Sequence, residues 1–139
     1  MLNYQKILNQ NMINVFKDIL INIKDKGLES NNHLYITFLT KNKNVIIPKW
    51  LSDKYPKEMT IVIQYEYYDI EIKKEYFNIT LSFNDIKTKL KIGYNSIISF
   101  ADPSANFGLK LKNTEIKKIK KNDNKEKDNV INFSNFKKN

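Results

Sequence analysis

Hydrophobic spacing changes once along this chain, and that change limits the folds open to it. As far as Ile23, apolar residues recur every three or four positions: Tyr4, Leu8, Met12, Val15, Phe16, Ile19, Leu20 and Ile23. This spacing draws one stripe on a helix, widened by Ile13. From Leu34 onward apolar residues recur in alternation, the period of a half-buried strand. Gly27 follows Lys24 and Lys26, which suit a helix C-terminus, and makes a natural stop. The chain therefore reads as mainly β (α+β), with a helix over 3–26 laid on a small barrel or sandwich over 33–111.

The strands follow in order. In 33–40, Leu34, Ile36 and Phe38 point one way and Tyr35 and Thr37 the other. Val45, Ile46 and Ile47 form a short strand, and Pro48 opens a helical segment at its first position, ended by Pro56. Thr60, Ile61, Val62 and Ile63 are the densest β-forming run and read as a central strand. Gln64 interrupts it with an uncharged amide, and Tyr65, Tyr67 and Tyr68 follow, interleaved with Glu66 and Asp69. Glu66, Asp69, Glu71 and Glu75, mixed with Lys73 and Lys74, read as a solvated face. Residues 76–83 and 86–92 read as a hairpin turning at Asn84 and Asp85 and broken at Gly93. Residues 94–100 read as a short helical turn, 102–104 as a tight turn, and Phe107, Leu109 and Leu111 as a last strand.

After Leu111 the composition changes. Residues 112–129 are almost wholly Lys, Asp, Glu and Asn, with Ile116 and Ile119 the only apolar side chains. Such a segment buries too little to offset the entropy of ordering, so it reads as a flexible charged linker in a disordered tail. Residues 130–139 then restore Val130, Ile131, Phe133 and Phe136 beside Lys137 and Lys138. Apolar side chains are costly to leave in water, which favours a tethered docking peptide.

The search for chemistry is mostly negative. With no cysteine and one histidine, the usual transition-metal and disulfide sets cannot be assembled, and no cofactor is expected. His33 reads as a structural residue at the start of a strand. The three glycines are too far apart for a phosphate-cradling loop, and no pair of carboxylates stands out, so no catalytic residue is expected. The net charge of +9 invites a nucleic-acid reading, but all 24 basic residues are lysine and none is arginine, the residue suited to bidentate phosphate and guanine contacts. Nucleic acid is accordingly not the expected partner. No apolar run approaches the roughly 20 residues that span a bilayer, and residues 1–12 lack the pattern of a secretory signal. A cytoplasmic protein without a membrane partner is expected.

Four motifs together carry a family resemblance: HLYITFLT (33–40), LSDKYPKEMTIVIQYEYYDI (51–70), FNITLSF (77–83) and SFADPSANFGLKL (99–111). They resemble the SspB family of adaptors for the ClpXP protease, most closely its alphaproteobacterial branch. VINFSNFKK at 130–138 resembles the tail of that branch. The resemblance implies an Sm-like (SspB-like) β-barrel behind the N-terminal helix, a homodimer, and an adaptor that is not an enzyme. It implies that the protein binds ssrA-tagged polypeptides and tethers them to the ClpX N-terminal domain, with 1–111 as adaptor domain, 112–129 as linker and 130–139 as docking peptide.

Carried over by residue, the resemblance places Gln64 in the tag-binding groove, flanked by Val62 and Tyr65. Thr80 and Leu81 become its other wall and Phe83 its floor. Val130, Ile131, Phe133, Phe136, Lys137 and Lys138 become the ClpX-docking residues. Leu8, Met12, Val15, Phe16 and Ile19 become the dimer seam, although the helix stripe by itself serves equally as an inner face. The alternative function is an Sm-like RNA-binding module in which exposed tyrosines stack on bases.

Overall fold

The computed structural model describes residues 2–28 and 31–111; the expected linker and docking peptide lie outside them. The first element is α1, Tyr4–Lys26. Asn3 caps it by accepting the Lys6 backbone N–H at 3.0 Å. Gly27, at φ 77°, ends it by donating to the Ile23 carbonyl at 2.8 Å. Phe16, Leu20 and Ile23 are its buried residues, and Met12, Ile13 and Ile19 pack partly against the same core.

Seven strands follow: β1 (Leu34–Leu39), β2 (Glu58–Ile63), β3 (Tyr67–Ile72), β4 (Tyr76–Phe83), β5 (Ile86–Gly93), β6 (Ile97–Asp102) and β7 (Phe107–Lys110). A short helix, α2 (Lys49–Lys54), lies between β1 and β2, with Pro48 at its cap rather than inside its first turn. All pairings are antiparallel, and they make two sheets: four strands in the order β2-β1-β6-β7 and three in the order β3-β4-β5. Among the described residues no ladder joins the two sheets into a closed barrel. What joins them is a shared core.

Phe16 is the clearest part of that core. Its ring lies 5.5 Å from Phe77 of β4 and 5.0 Å from Phe100 of β6, so one helix side chain touches both sheets. Hydrogen bonds from the middle of α1 and from just past its C-terminus tie it to the three-stranded sheet and its β3–β4 turn. Lys17 Nζ donates to the Lys74 carbonyl at 2.8 Å, and the Leu28 N–H donates to the Tyr67 hydroxyl at 3.0 Å. Tyr94 packs against Phe16 and Phe77 and donates its hydroxyl to the Lys73 carbonyl at 2.8 Å; burial pushes its pKa up to about 12.

Several expectations need correction. The run from Thr60 to Ile63 is not central: β2 is an edge strand with β1 on one side only. Glu66, Asp69 and Glu75 are exposed, as a solvated face requires, but the same stretch also holds β3, an unexpected strand whose alternation is broken where Asp69 adopts φ 54° and the register with β4 shifts. Residues 94–100 hold one 3₁₀ turn, Tyr94–Ser96, and then enter β6. The strand expected at 45–47 is reduced to one bridge between Ile46 and Lys91. Next to that bridge Gly93 lies so close to Asn44 that an added Cβ would stand 2.5 Å from the Asn44 Cβ. The hairpin at Asn84 and Asp85 is as expected: both residues have positive φ, 52° and 66°, as a two-residue type I′ turn requires.

Phe16 is fully buried inside its own chain, so it has no surface left for a dimer seam. Phe16→Ala is expected to cost about 3–5 kcal/mol in urea unfolding, the range for emptying a large aromatic site in a core. A cost under about 1 kcal/mol would show that Phe16 does not join the sheets.

Candidate functional site

β2 alternates strictly. Met59, Ile61 and Ile63 enter the core, while Thr60 and Val62 face out beside Thr37 and Tyr35 of β1. The Thr37 and Thr60 hydroxyls hydrogen-bond at 2.8 Å across that outer face. With β1 on one flank only, β2 presents unpaired backbone N–H and C=O groups along the other. This open edge is where an extended chain could add a strand.

The segments on either side of β2 shape the place. Beyond Ile63 the chain bends at Gln64, Tyr65 and Glu66. Because Leu34 pairs with Ile63, His33 comes opposite Gln64, and the Gln64 Nε2 meets the His33 Nε2 in hydrogen-bonding contact. The other ring nitrogen of His33 lies 3.0 Å from the Asn31 carbonyl. Ser82 of β4 donates to the Glu66 carboxylate at 3.4 Å. Phe83, next in β4, meets Trp50 of α2 edge-on, with ring centroids 6.2 Å apart. The end of β4 therefore contacts both the segment that precedes β2 and the segment that follows it.

The expected groove residues divide on this frame. Val62, 37% exposed, faces outward, Gln64 is half-buried, and Tyr65 is 74% exposed. Phe83 is half-buried against Trp50. Thr80 and Leu81 are neighbours on one strand and point to opposite faces. Leu81 is 4% exposed and belongs to the core, while Thr80 lies on the outer face between Tyr68 and Lys89. The two cannot both face one groove. Of the expected seam, Leu8 and Val15 are exposed and Met12 and Ile19 half-buried. Val15 and Ile19 line an apolar groove of about 720 Å³ with Ile23, Leu28, Leu34 and Phe107.

Charge is distributed along β5. Lys87 lies over the Tyr68 ring at 4.3 Å, Lys91 over Tyr76 at 4.3 Å, and Lys89 reaches the Glu71 carboxylate at 3.9 Å. Asn78 donates to Glu71 at 2.9 Å, and this bond, helped by Lys89, holds the Glu71 carboxyl below its ordinary value. Tyr67 and Tyr68 are thus engaged, one by the end of α1 and one by Lys87, whereas Tyr65 projects into solvent.

A sequence model of the family described as SspB, stringent starvation protein B, matches residues 7–138, nearly the whole chain. The chain belongs to the SspB family. No individual curated protein gives a significant match. The family match covers both sheets, nearly all of α1 and the edge of β2 with the Gln64 bend. Among the described residues of this SspB-family chain, no helix is long and apolar enough to cross a membrane.

Three residues at the site were not singled out by sequence as functional: Trp50, Glu66 and Ser82. Their roles depend on contacts between distant segments, and Trp50 carried no signal beyond a large aromatic on a short helix. His33 was read as structural, and its contact with Gln64 spans 31 positions. Trp50 is the single tryptophan, so its emission reports on this corner. Phe83→Ala should shift that emission to the red and cost about 0.5–1.5 kcal/mol beyond the area lost. An unchanged emission maximum would show that the two rings do not meet in solution.

Proposed function

We propose that this chain is a proteolytic adaptor that binds ssrA-tagged polypeptides along β2 and tethers them to ClpX for degradation by ClpXP. The observation that carries the reading is the open edge of β2 ending at Gln64. A tag lying extended beside β2 gains main-chain hydrogen bonds from the edge, and side-chain pockets supply the choice of sequence. Gln64 offers both a donor and an acceptor to a polar tag side chain or a peptide group. Val62 and Tyr65 flank it, and Phe83 with Trp50 forms the apolar floor. Thr80 takes the outer wall, with Leu81 as packing beneath it.

In this reading the two sheets around one core are the family's Sm-like barrel, and the chain falls in its alphaproteobacterial branch, as the motifs at 51–70 and 99–111 suggest. Residues 1–111 are the adaptor domain and 112–129 the tether. Residues 130–139 dock on the ClpX N-terminal domain through Val130, Ile131, Phe133, Phe136, Lys137 and Lys138. A tether of this length raises the local substrate concentration at the protease to roughly the millimolar range. The adaptor acts in the cytoplasm as a homodimer whose seam uses Leu8, Met12, Val15 and Ile19, with the apolar groove beside α1 as part of the buried surface. Two tails per dimer make two weak dockings into one firm one. Such an adaptor needs no catalytic residue. The RNA-binding alternative is less supported, since Tyr67 and Tyr68 are engaged and Tyr65 alone of the three projects freely.

Gln64→Ala is expected to weaken binding of a fluorescein-labelled ssrA peptide by about 1–2 kcal/mol, roughly 5- to 30-fold in Kd, while the fold survives. Equal affinity in the variant would remove Gln64 from the groove. Deleting residues 130–139 should leave peptide affinity intact and abolish the adaptor's enhancement of ClpXP degradation of a tagged substrate. Delivery that persists without those residues would refute the docking assignment.

A further inference from the structure

The contact between Gln64 and His33 does more than hold the bend after β2. The imidazole has two partners, and one of them has a fixed character. The Asn31 carbonyl, 3.0 Å from Nδ1, can only accept. A neutral imidazole facing it must therefore carry its proton on Nδ1, which leaves Nε2 with a bare lone pair. The Gln64 group that faces Nε2 is the amide nitrogen. One Gln64 N–H is thus spent on His33, and the carbonyl and the second N–H are turned away from it.

Protonation reverses this arrangement. An imidazolium donates from both nitrogens. Its Nδ1–H keeps the Asn31 carbonyl, and its new Nε2–H opposes the Gln64 N–H. The contact survives only if the Gln64 amide turns over and gives its carbonyl to His33. The outward side of the amide then loses its acceptor and offers N–H groups alone. No charged group competes for the ring in the contacts among the described residues. Asp102, at the end of β6, is held by Asn32 at 3.0 Å and by the Ser104 N–H at 3.1 Å. Glu66, two residues past Gln64, accepts from Ser82.

We propose that His33 is a positioning residue for tag recognition: its protonation state decides whether Gln64 presents an acceptor and a donor, or donors only, to a bound peptide. This rests on Gln64 lying in the peptide groove. The neutral imidazole gives the paired acceptor and donor that match a peptide group or a side-chain amide. Binding is therefore tight while the imidazole is neutral and weaker once it is protonated, so affinity falls toward acid pH. The loss is about tenfold in Kd, equivalent to one hydrogen bond of about 1.4 kcal/mol.

Two measurements on the full chain separate this device from the reading beneath it. The first is the Kd of a fluorescein-labelled ssrA peptide between pH 5.5 and 8 for the wild type, His33→Gln and Gln64→Ala, each checked for a retained cooperative fold. The wild type should lose about tenfold at the acid end, and His33→Gln, which cannot take up a proton, should show a flatter profile. Parallel profiles in the wild type and His33→Gln would overturn the proposal. The second needs no peptide: the side-chain amide resonances of Gln64, assigned with Gln64→Ala, are followed by NMR beside the imidazole nitrogens of His33. They should shift with one common midpoint, and independent behaviour would overturn the proposal. A common midpoint with no peptide binding at any pH would sink the groove reading while leaving the switch between the two side chains in place.

Discussion

One aromatic side chain on the helix packs against both sheets at the centre of their shared core. Phe16 reaches Phe77 in one sheet and Phe100 in the other, and no strand pairing among the described residues does the same work. Buried aromatic surface of this size contributes several kcal/mol, and here it sits where three layers meet. Lys17 and Leu28 then fix the angle of α1 through hydrogen bonds to Lys74 and Tyr67. The arrangement leaves strand edges unpaired, since nothing has to close the sheets on each other. The open flank of β2 is therefore a consequence of how the core is built.

That flank defines the candidate site. An unpaired edge is ordinarily a hazard, because any extended chain can join it. Here its ends are dressed: Gln64 and Glu66 sit beyond it, and Trp50 and Phe83 meet where α2 contacts the end of β4. Polar side chains beside exposed backbone give selectivity to an edge that would otherwise accept any strand. Recognition in the proposed adaptor thus comes from a strand left without a neighbour, and the fold supplies the rest as support.

How far this was legible in the sequence depends on distance along the chain. The helix could be read because its 3.6-residue stripe and the Gly27 stop are both local. The hairpin at Asn84 and Asp85 could be read for the same reason. β3 was hidden because Asp69 takes a left-handed conformation in mid-strand and throws Glu71 and Tyr68 out of a common alternation. β6 was hidden because a 3₁₀ turn precedes it and its register shifts against β1. The position of β2 in its sheet could not be read at all, since it depends on partners chosen from the whole chain. Among site residues, Gln64 came from a resemblance, and its contact with His33 exists only because Leu34 pairs with Ile63. Phe16 and Leu81 show the converse: a periodic apolar residue looks alike whether it faces a partner or its own core.

The passage from β7 into residues 112–139 has a mechanical meaning. Leu111 is buried, and its N–H donates to the Ile98 carbonyl at 2.7 Å. β7, which leads to it, is a short strand on the outer flank of its sheet, joined to β6 by the turn around Pro103. Any pull arriving along the chain from beyond Leu111 acts at the open end of that hairpin. It would part the ladder one hydrogen bond at a time, starting at Leu111, instead of shearing all of them together. β7 is thus the strand on which such a pull acts first, and β6 stands between it and β1 and β2.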